Sequence, residues 1–254
     1  MIINSGRKDN LMWRVYATRE EMGLSAAAYT EALIRSLLER QEEVRMIFAA
    51  APSQNEVLAG LRNSPGIDWS RVTAFHMDEY IGLQPDAPQG FGRFLRERLF
   101  GQVPFCAVNY LNGQAEDFAS ECARYSALLQ EKPIDICCLG IGENGHIAFN
   151  DPPVADFADP VWVKRVELDE ICRNQQVNDG CFASLNDVPT HALSLTIPAL
   201  TSVAHMVCVV PARTKREAVR RLLTEEVVSE ALPASIMRRH ASAQLFLDSE
   251  SGND

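Results

Sequence analysis

The chain has 254 residues, 46% of them hydrophobic, which is enough to bury a sizeable core and too apolar for a disordered or fibrous protein. Its formal net charge of −10 argues against nonspecific binding to nucleic acid or to an anionic membrane, because a polyanion needs a Lys/Arg footprint to release its counterions. No run approaches the ~18 uninterrupted apolar residues of a membrane-spanning helix, and the opening MIINSGRKDN lacks the apolar centre of a signal peptide, so a cytoplasmic location is expected.

In chain order, Ser25–Arg40 reads as a helix with Leu33, Ile34, Leu37 and Leu38 on one face. A buried strand at Met46–Ala51, a helix at Asn55–Arg62 and a second buried strand at Val72–Met77 follow. Phe91–Phe100 and Ala115–Gln130 are helical in pattern, and Ile136–Ile141 is again a short apolar strand. Asp151–Asp159 is a Pro/Asp-rich loop with the composition of a mobile segment. Trp162–Leu168 alternates like a half-exposed strand, Ala192–Ile197 and His205–Pro211 read as buried strands, Lys215–Thr224 as a helix and Ala243–Leu247 as a last strand. The tail Asp248–Asp254 has the look of a frayed end. Seven cysteines, an odd number with no CxxC and no zinc-finger histidine spacing, read as reduced thiols, with Cys137 and Cys138 as small hydrophobes inside a strand.

Strands alternating with helices predict an α/β fold: a single doubly wound, mainly parallel sheet with helices on both faces, Rossmann-like, forming one domain over residues 1–254. Ligands of such sheets bind beyond the carboxyl ends of the strands, so the informative residues are those just after each apolar run. They are Ala51-Pro-Ser-Gln54, Asp78-Glu79-Tyr80, Gly142-Glu-Asn-Gly-His146 and Ala212-Arg-Thr-Lys215.

Asp78 and Glu79 are adjacent carboxylates at a strand exit, so their side chains diverge and one of them can face a pocket, where partial desolvation would fit it to act as a general base. The bland alternative is a solvated turn or a helix cap. Gly140, Gly142 and Gly145 release the chain from a buried strand, allow close backbone approach to a ligand and deliver His146 at the sheet edge. An imidazole can pass a proton to and from a sugar ring oxygen if a neighbour fixes its tautomer, and Asn144 and Asp151 are near enough in sequence to do so. Ser53, with Gln54 beside it, precedes a helix and suits either an N-cap or a phosphate contact. Arg213-Thr214-Lys215 places cations where another helix starts, an unfavourable position unless an anion is met there.

At these residues the sequence resembles the glucosamine-6-phosphate deaminase family, which also includes the more distant 6-phosphogluconolactonases. His76-Met-Asp-Glu-Tyr-Ile-Gly-Leu83 is similar to that family's MDEY-x-GL motif and Gly140–Pro152 to its GxGxxGHIxFNEP motif, with further agreement at Val108–Gly113, Val188–Leu193 and Pro233–Ile236. The resemblance implies an enzyme that opens the pyranose ring, isomerises a 2-amino-aldose to a ketose and releases ammonia, acting on glucosamine 6-phosphate or a closely related amino-sugar phosphate. It assigns Asp78 as the carbon-acid base, His146 as the ring-opening residue with Asn144 and Asp151 assisting, and Lys215 as a phosphate ligand. Ser53, Gln54, Gly142 and Gly145 complete the expected substrate site. No metal and no organic cofactor is implied, and the expected partner is a small-molecule sugar phosphate, with no nucleic acid or membrane, on a monomer or small homo-oligomer.

Four departures from the family pattern stand out. Asp151 replaces the usual Glu, shortening the reach by one methylene. The glycine-rich phosphate loop is here Ala49-Ala-Ala-Pro-Ser-Gln54, and an arginine that helps hold the phosphate has no counterpart near Asp179-Gly180. The chain also ends soon after Leu247, short of the extension of the allosteric members, so hexamer regulation is not implied. Lactone hydrolysis and non-catalytic sugar-phosphate sensing are the competing functions; nucleotide binding is weaker, because the glycines do not open a helix in a GxGxxG pattern with an acidic residue some 20 positions on.

Overall fold

A computed structural model describes residues 1–252. The first two strands, β1 (Ile2–Lys8) and β2 (Leu11–Tyr16), form an antiparallel hairpin whose turn residue Asp9 has φ 51°. Helix α1 (Arg19–Leu38) begins six residues before the expected Ser25, because Thr18 caps it by accepting from the Glu21 N–H. Thr18 with Glu21 three positions later is the local start signal that overrides the later onset of the leucine stripe. There follow β3 (Val44–Phe48), α2 (Asn55–Arg62), β4 (Val72–His76), β5 (Asp78–Tyr80), α3 (Phe91–Leu95), β6 (Ala107–Asn109), α4 (Phe118–Gln130) and β7 (Ile136–Leu139). The second half contributes β8 (Val163–Glu167), α5 (Glu170–Asn178), β9 (His191–Leu195), α6 (Ile197–Thr201), β10 (His205–Val210), α7 (Arg216–Thr224), β11 (Ala243–Asp248) and α8 (Ser249–Gly252).

Eight strands form the main sheet in the order β1-β2-β11-β10-β7-β3-β4-β6, parallel throughout except for β1 at its edge. Along its central strands alternate residues serve two cores. Ile136 and Cys138 of β7 pack with Met22, Ile34, Val57 and Leu58 of α1 and α2. Cys137 and Leu139 pack with residues of α4, α6 and α7 on the other face. The sheet is therefore buried on both sides, which is why its strands read as unbroken apolar runs.

The expected single sheet is in fact accompanied by a second. Strands β5, β9 and β8 form a small antiparallel sheet of their own. Met77 is the branch point: its N–H still donates to Phe48 O of the main sheet at 3.3 Å while its carbonyl accepts from Leu195 at 2.8 Å. Ala192–Ile197, read as another strand of the parallel sheet, corresponds to β9 of this ribbon; Ala192 to Leu195 are buried, and burial alone does not distinguish the two kinds of pairing. The tail is also ordered further than expected. Asp248 is 3% exposed and accepts from the N–H groups of Ala212, Glu250 and Ser251, so β11 passes into α8, while residues 253–254 lie outside the described range. The start of the Asp151–Asp159 loop is a tight turn in which Val154 and Ala155 both donate to Asp151 O. Lys164 then ties its far end to Asp159 at 2.7 Å.

From β3 the chain winds outward through β4 to β6, whereas from β7 it winds the opposite way through β10 to β11. The reversal lies between β3 and β7, where connections leave in opposite directions and open a crevice at the carboxyl edge.

Candidate active site

That crevice is a pocket lined by the exits of β3, β4, β7 and β10, the four segments singled out in the sequence. Asp78, His146, Ser53, Gln54, Gly142 and Lys215 all face it, and Asn144 and Asp151 stand behind His146. Gly145 does not face the ligand space, contrary to expectation. It turns the loop at φ 88°, and a Cβ there would overlap Leu232, so its role is packing and conformation. Gly142 does line the pocket, and what it approaches is the His146 ring: a Cβ on it would overlap the imidazole.

The two carboxylates at the β4 exit diverge as the strand geometry requires. Glu79 turns away from the crevice and accepts from the N–H groups of Tyr80, Phe91 and Gly92 at 2.9, 3.0 and 2.8 Å, fixing the start of α3. Asp78 faces the pocket while only 8% exposed. Burial, and secondly the Glu79 carboxylate, push its carboxyl well above the usual value. Beneath it His76 is fully buried, accepts from the Leu111 N–H at 2.8 Å and is held neutral, its value lowered by burial to about 3.

His146 is oriented from behind. Its Nδ1 lies 2.8 Å from Asn144 Oδ1 and 2.9 Å from Asp151 Oδ1, and Asn144 Nδ2 donates to the same Asp151 oxygen at 2.8 Å. With two acceptors at Nδ1 the proton of the neutral ring sits there, which leaves Nε2 unprotonated. Burial acts to raise Asp151, but attraction to His146 and hydrogen bonds to His146, Asn144 and Cys172 outweigh it and hold the carboxyl below its ordinary value. The loop is stapled to the small sheet that carries Asp78: Phe149 donates to Ser194 Oγ at 3.0 Å and Asn150 to Leu195 O at 2.8 Å. The segments that carry Asp78 and His146 are thus both tied to β9. Ala148 in this loop has φ 47°, a backbone strain of the kind that functional sites tolerate.

The pocket is also lined by Lys215, 5% exposed, whose Nζ has no hydrogen-bond partner among the described residues. Burial lowers its value, opposed by the carboxylates of Asp179 and Glu143, the latter at 4.0 Å. Lys215 lies one residue before α7, in a 3-10 turn, and α7 itself starts at Arg216. The Gln54 amide donates to Val209 O at 3.3 Å and to Ser53 Oγ at 3.2 Å, and its backbone N–H is spent on Ala51 O. Gln54 therefore braces the Ser53 turn against β10 more than it offers free donors.

Two groups of pocket residues had no sequence signal. Helix α5, absent from the sequence reading because its nine residues carry little apolar periodicity, presents Gln175, Gln176 and Asp179. It also brings Cys172 to His146 and Asp151, so that the ligand atoms of the three lie within 4.8 Å of one another. The other group is a single residue, Arg19, at the start of α1.

A buried carboxyl opposite a histidine with a carboxylate behind it, at the switch point of a doubly wound sheet, defines an acid–base enzyme for a small polar ligand. More particularly, the chain belongs to the glucosamine-6-phosphate isomerase/6-phosphogluconolactonase family, whose model matches residues 17–246. It is 36% identical over 236 residues to the glucosamine-6-phosphate deaminases of Bacillus thuringiensis (strain Al Hakam) and Bacillus cereus (strain AH820), spanning 93% of this chain and 86% of theirs. Its structure is similar to that of a monomeric glucosamine-6-phosphate deaminase, with a TM-score of 0.85 at 29% identity over 95% of this chain and 98% of the other. A 6-phosphogluconolactonase from Thermotoga maritima shares the fold, with a TM-score of 0.75 at 18% identity over 93% of this chain and all of the other. No helix among the described residues is long and apolar enough to cross a membrane.

Proposed function

We propose that the enzyme converts glucosamine 6-phosphate, or a closely related amino-sugar phosphate, to the ketose phosphate and ammonia. The observation that carries this reading is the pairing, in one pocket, of a buried carboxyl on β5 with a histidine whose Nδ1 is held by Asp151. Ring opening needs a proton delivered to the ring oxygen as the anomeric hydroxyl loses one, and His146 Nε2 is the group suited to both movements. Asp78 then takes the proton from C2 of the open-chain amino aldehyde and returns it to C1, while the 2-amino group gives up a proton and O1 gains one. The product is a C2 imine, and water adding there expels ammonia and leaves the ketone. Carbon-acid chemistry of this kind favours a base whose affinity for protons is raised toward neutrality, the direction in which burial moves Asp78.

The buried Lys215, whose Nζ makes no hydrogen bond among the described residues, supports an anionic group at the far end of the substrate. Its cation is buried at a cost that an incoming phosphate offsets. The test is a coupled assay for ammonia and ketose phosphate with glucosamine, galactosamine and mannosamine 6-phosphates. Turnover of at least one with equal yields of the two products supports the proposal, and binding of all three without ammonia release would overturn it.

A further inference from the structure

The anion end of this pocket carries an imbalance that Lys215 alone does not resolve. Two carboxylates act on that lysine, Asp179 most strongly and Glu143 at 4.0 Å, so its positive charge is already shared before a doubly charged phosphate arrives. Near residues 179–180, where the family's second phosphate cation is missing from the sequence, α5 supplies Asp179 to the pocket wall and no cation. Among the described residues that line the crevice, one further permanently charged cation is present, Arg19.

Arg19 comes from an element that no phosphate motif would indicate, the first turn of α1, immediately after the Thr18 cap. Its guanidinium is nonetheless fixed in place. Nε pairs with Glu56 Oε2 at 2.9 Å, and one terminal nitrogen donates to the carbonyl of Pro52, the residue next to Ser53. Its side chain remains 32% exposed and lines the crevice, with the guanidinium held by α2 and by the loop. A planar fork anchored at one edge keeps N–H donors for a second acceptor, the arrangement in which arginine binds phosphate well.

We propose that Arg19 is the second cation of the phosphate subsite and sets this enzyme's selectivity for phosphorylated sugars, with Glu56 as its positioning residue. The proposal rests on the phosphate reading above. The Ala49–Gln54 segment, which has lost the glycines that would let backbone N–H groups wrap a phosphate, instead supplies the Pro52 carbonyl that holds the arginine.

The experiment measures KM and kcat for the 6-phosphorylated and unphosphorylated amino sugar, and inhibition by inorganic phosphate, in wild type, Arg19→Ala, Arg19→Lys and Glu56→Gln. A charge-assisted contact predicts that Arg19→Ala raises KM for the phosphorylated sugar and the phosphate inhibition constant by about 10- to 150-fold, leaves the unphosphorylated sugar unchanged and barely alters kcat. Arg19→Lys should recover part of the loss, because it keeps charge without the fork. Glu56→Gln, which leaves the arginine in place but loosens it, should show a smaller change in the same direction, and circular dichroism confirms that each variant is folded. If wild type prefers the phosphorylated sugar and Arg19→Ala keeps that preference intact, the assignment of Arg19 is overturned while the phosphate reading stands. If wild type shows no preference at all, the phosphate reading fails and the assignment fails with it.

Discussion

The two ends of the pocket are built on different plans. At the proposed reacting end the groups around Asp78 are held in advance: Glu79 by three backbone N–H groups, His146 by Asn144 and Asp151, and the loop itself by β9. At the proposed anion end Lys215 Nζ and Glu143 Oε1 lie buried without a hydrogen bond and meet only as a loose pair 4.0 Å apart. Proton transfer requires geometry that exists before the substrate binds, whereas a charge subsite can wait for the ligand to complete it. Substitutions at the first end should therefore lower turnover, and substitutions at the second should weaken binding.

The largest effect is expected at Asp78. Asp78→Asn should lower turnover by about 10²- to 10⁴-fold with binding retained, and proton exchange at C2 of the substrate, followed by NMR in deuterated water, is the direct readout. Undiminished exchange in the variant would remove Asp78 from the role. The same substitution should stabilise the fold at neutral pH. The folded carboxyl has a higher value than the 3.8 of an ordinary aspartate. Between those two values the unfolded chain is the more ionised state, so this residue's contribution to stability falls as pH rises. Melting temperatures should thus favour Asp78→Asn near pH 7 and converge as pH drops below the ordinary value. Since a base must be ionised, the acid limb of kcat/KM should also lie above the usual carboxylate range.

His146→Gln should come next, with a loss of about 10²-fold on a cyclic substrate and far less on an open-chain analogue, because only the cyclic form needs a proton at its ring oxygen. Equal losses on both would break the assignment of ring opening to this residue. At the other end, Lys215→Ala should raise KM by about 10- to 150-fold with kcat nearly unchanged, the behaviour of a contact made equally before and during the chemistry. A fall in kcat of the same size would erase the distinction between the two ends.

Legibility in the sequence follows the same division. Asp78, His146, Asn144 and Asp151 are reached through short strand exits, so local motifs carried them, and the alternation of strands and helices was enough for the doubly wound core. The small antiparallel sheet was hidden because Ala192 to Leu195 are as apolar and buried as any parallel strand, and its partner β5 has three residues. Arg19 was hidden because its meaning depends on where α1 starts relative to Pro52, 33 residues away. Gln175, Gln176 and Asp179 were hidden because α5 is polar and short, with its contribution set by packing over the crevice and not by any pattern of its own. Contiguous chemistry is written locally; the proposed charge subsite, with Arg19 on α1 and Lys215 in the turn before α7, is not.

The smallest expected effect is at Asp151, and it sharpens what that residue's shorter side chain means. Its carboxylate is 1% exposed and already reaches His146 Nδ1 at 2.9 Å and Asn144 Nδ2 at 2.8 Å, so the missing methylene has been absorbed by the loop and no gap remains to be filled. Restoring the family's residue with Asp151→Glu therefore inserts a methylene into a closed space beside Cys172, and overpacking of this kind costs roughly 1–3 kcal/mol. Most of that should appear as a lower melting temperature, because the new carboxylate can still reach the imidazole by a small shift of the turn. Activity should stay within about tenfold of wild type, which corresponds to at most ~1.4 kcal/mol of misalignment in the transition state. The measurement is kcat/KM on the cyclic substrate together with the melting temperature. A clear gain in kcat/KM would mean that the relay in the native chain is strained by the short carboxylate, and that the reacting end is less complete than its hydrogen bonds indicate.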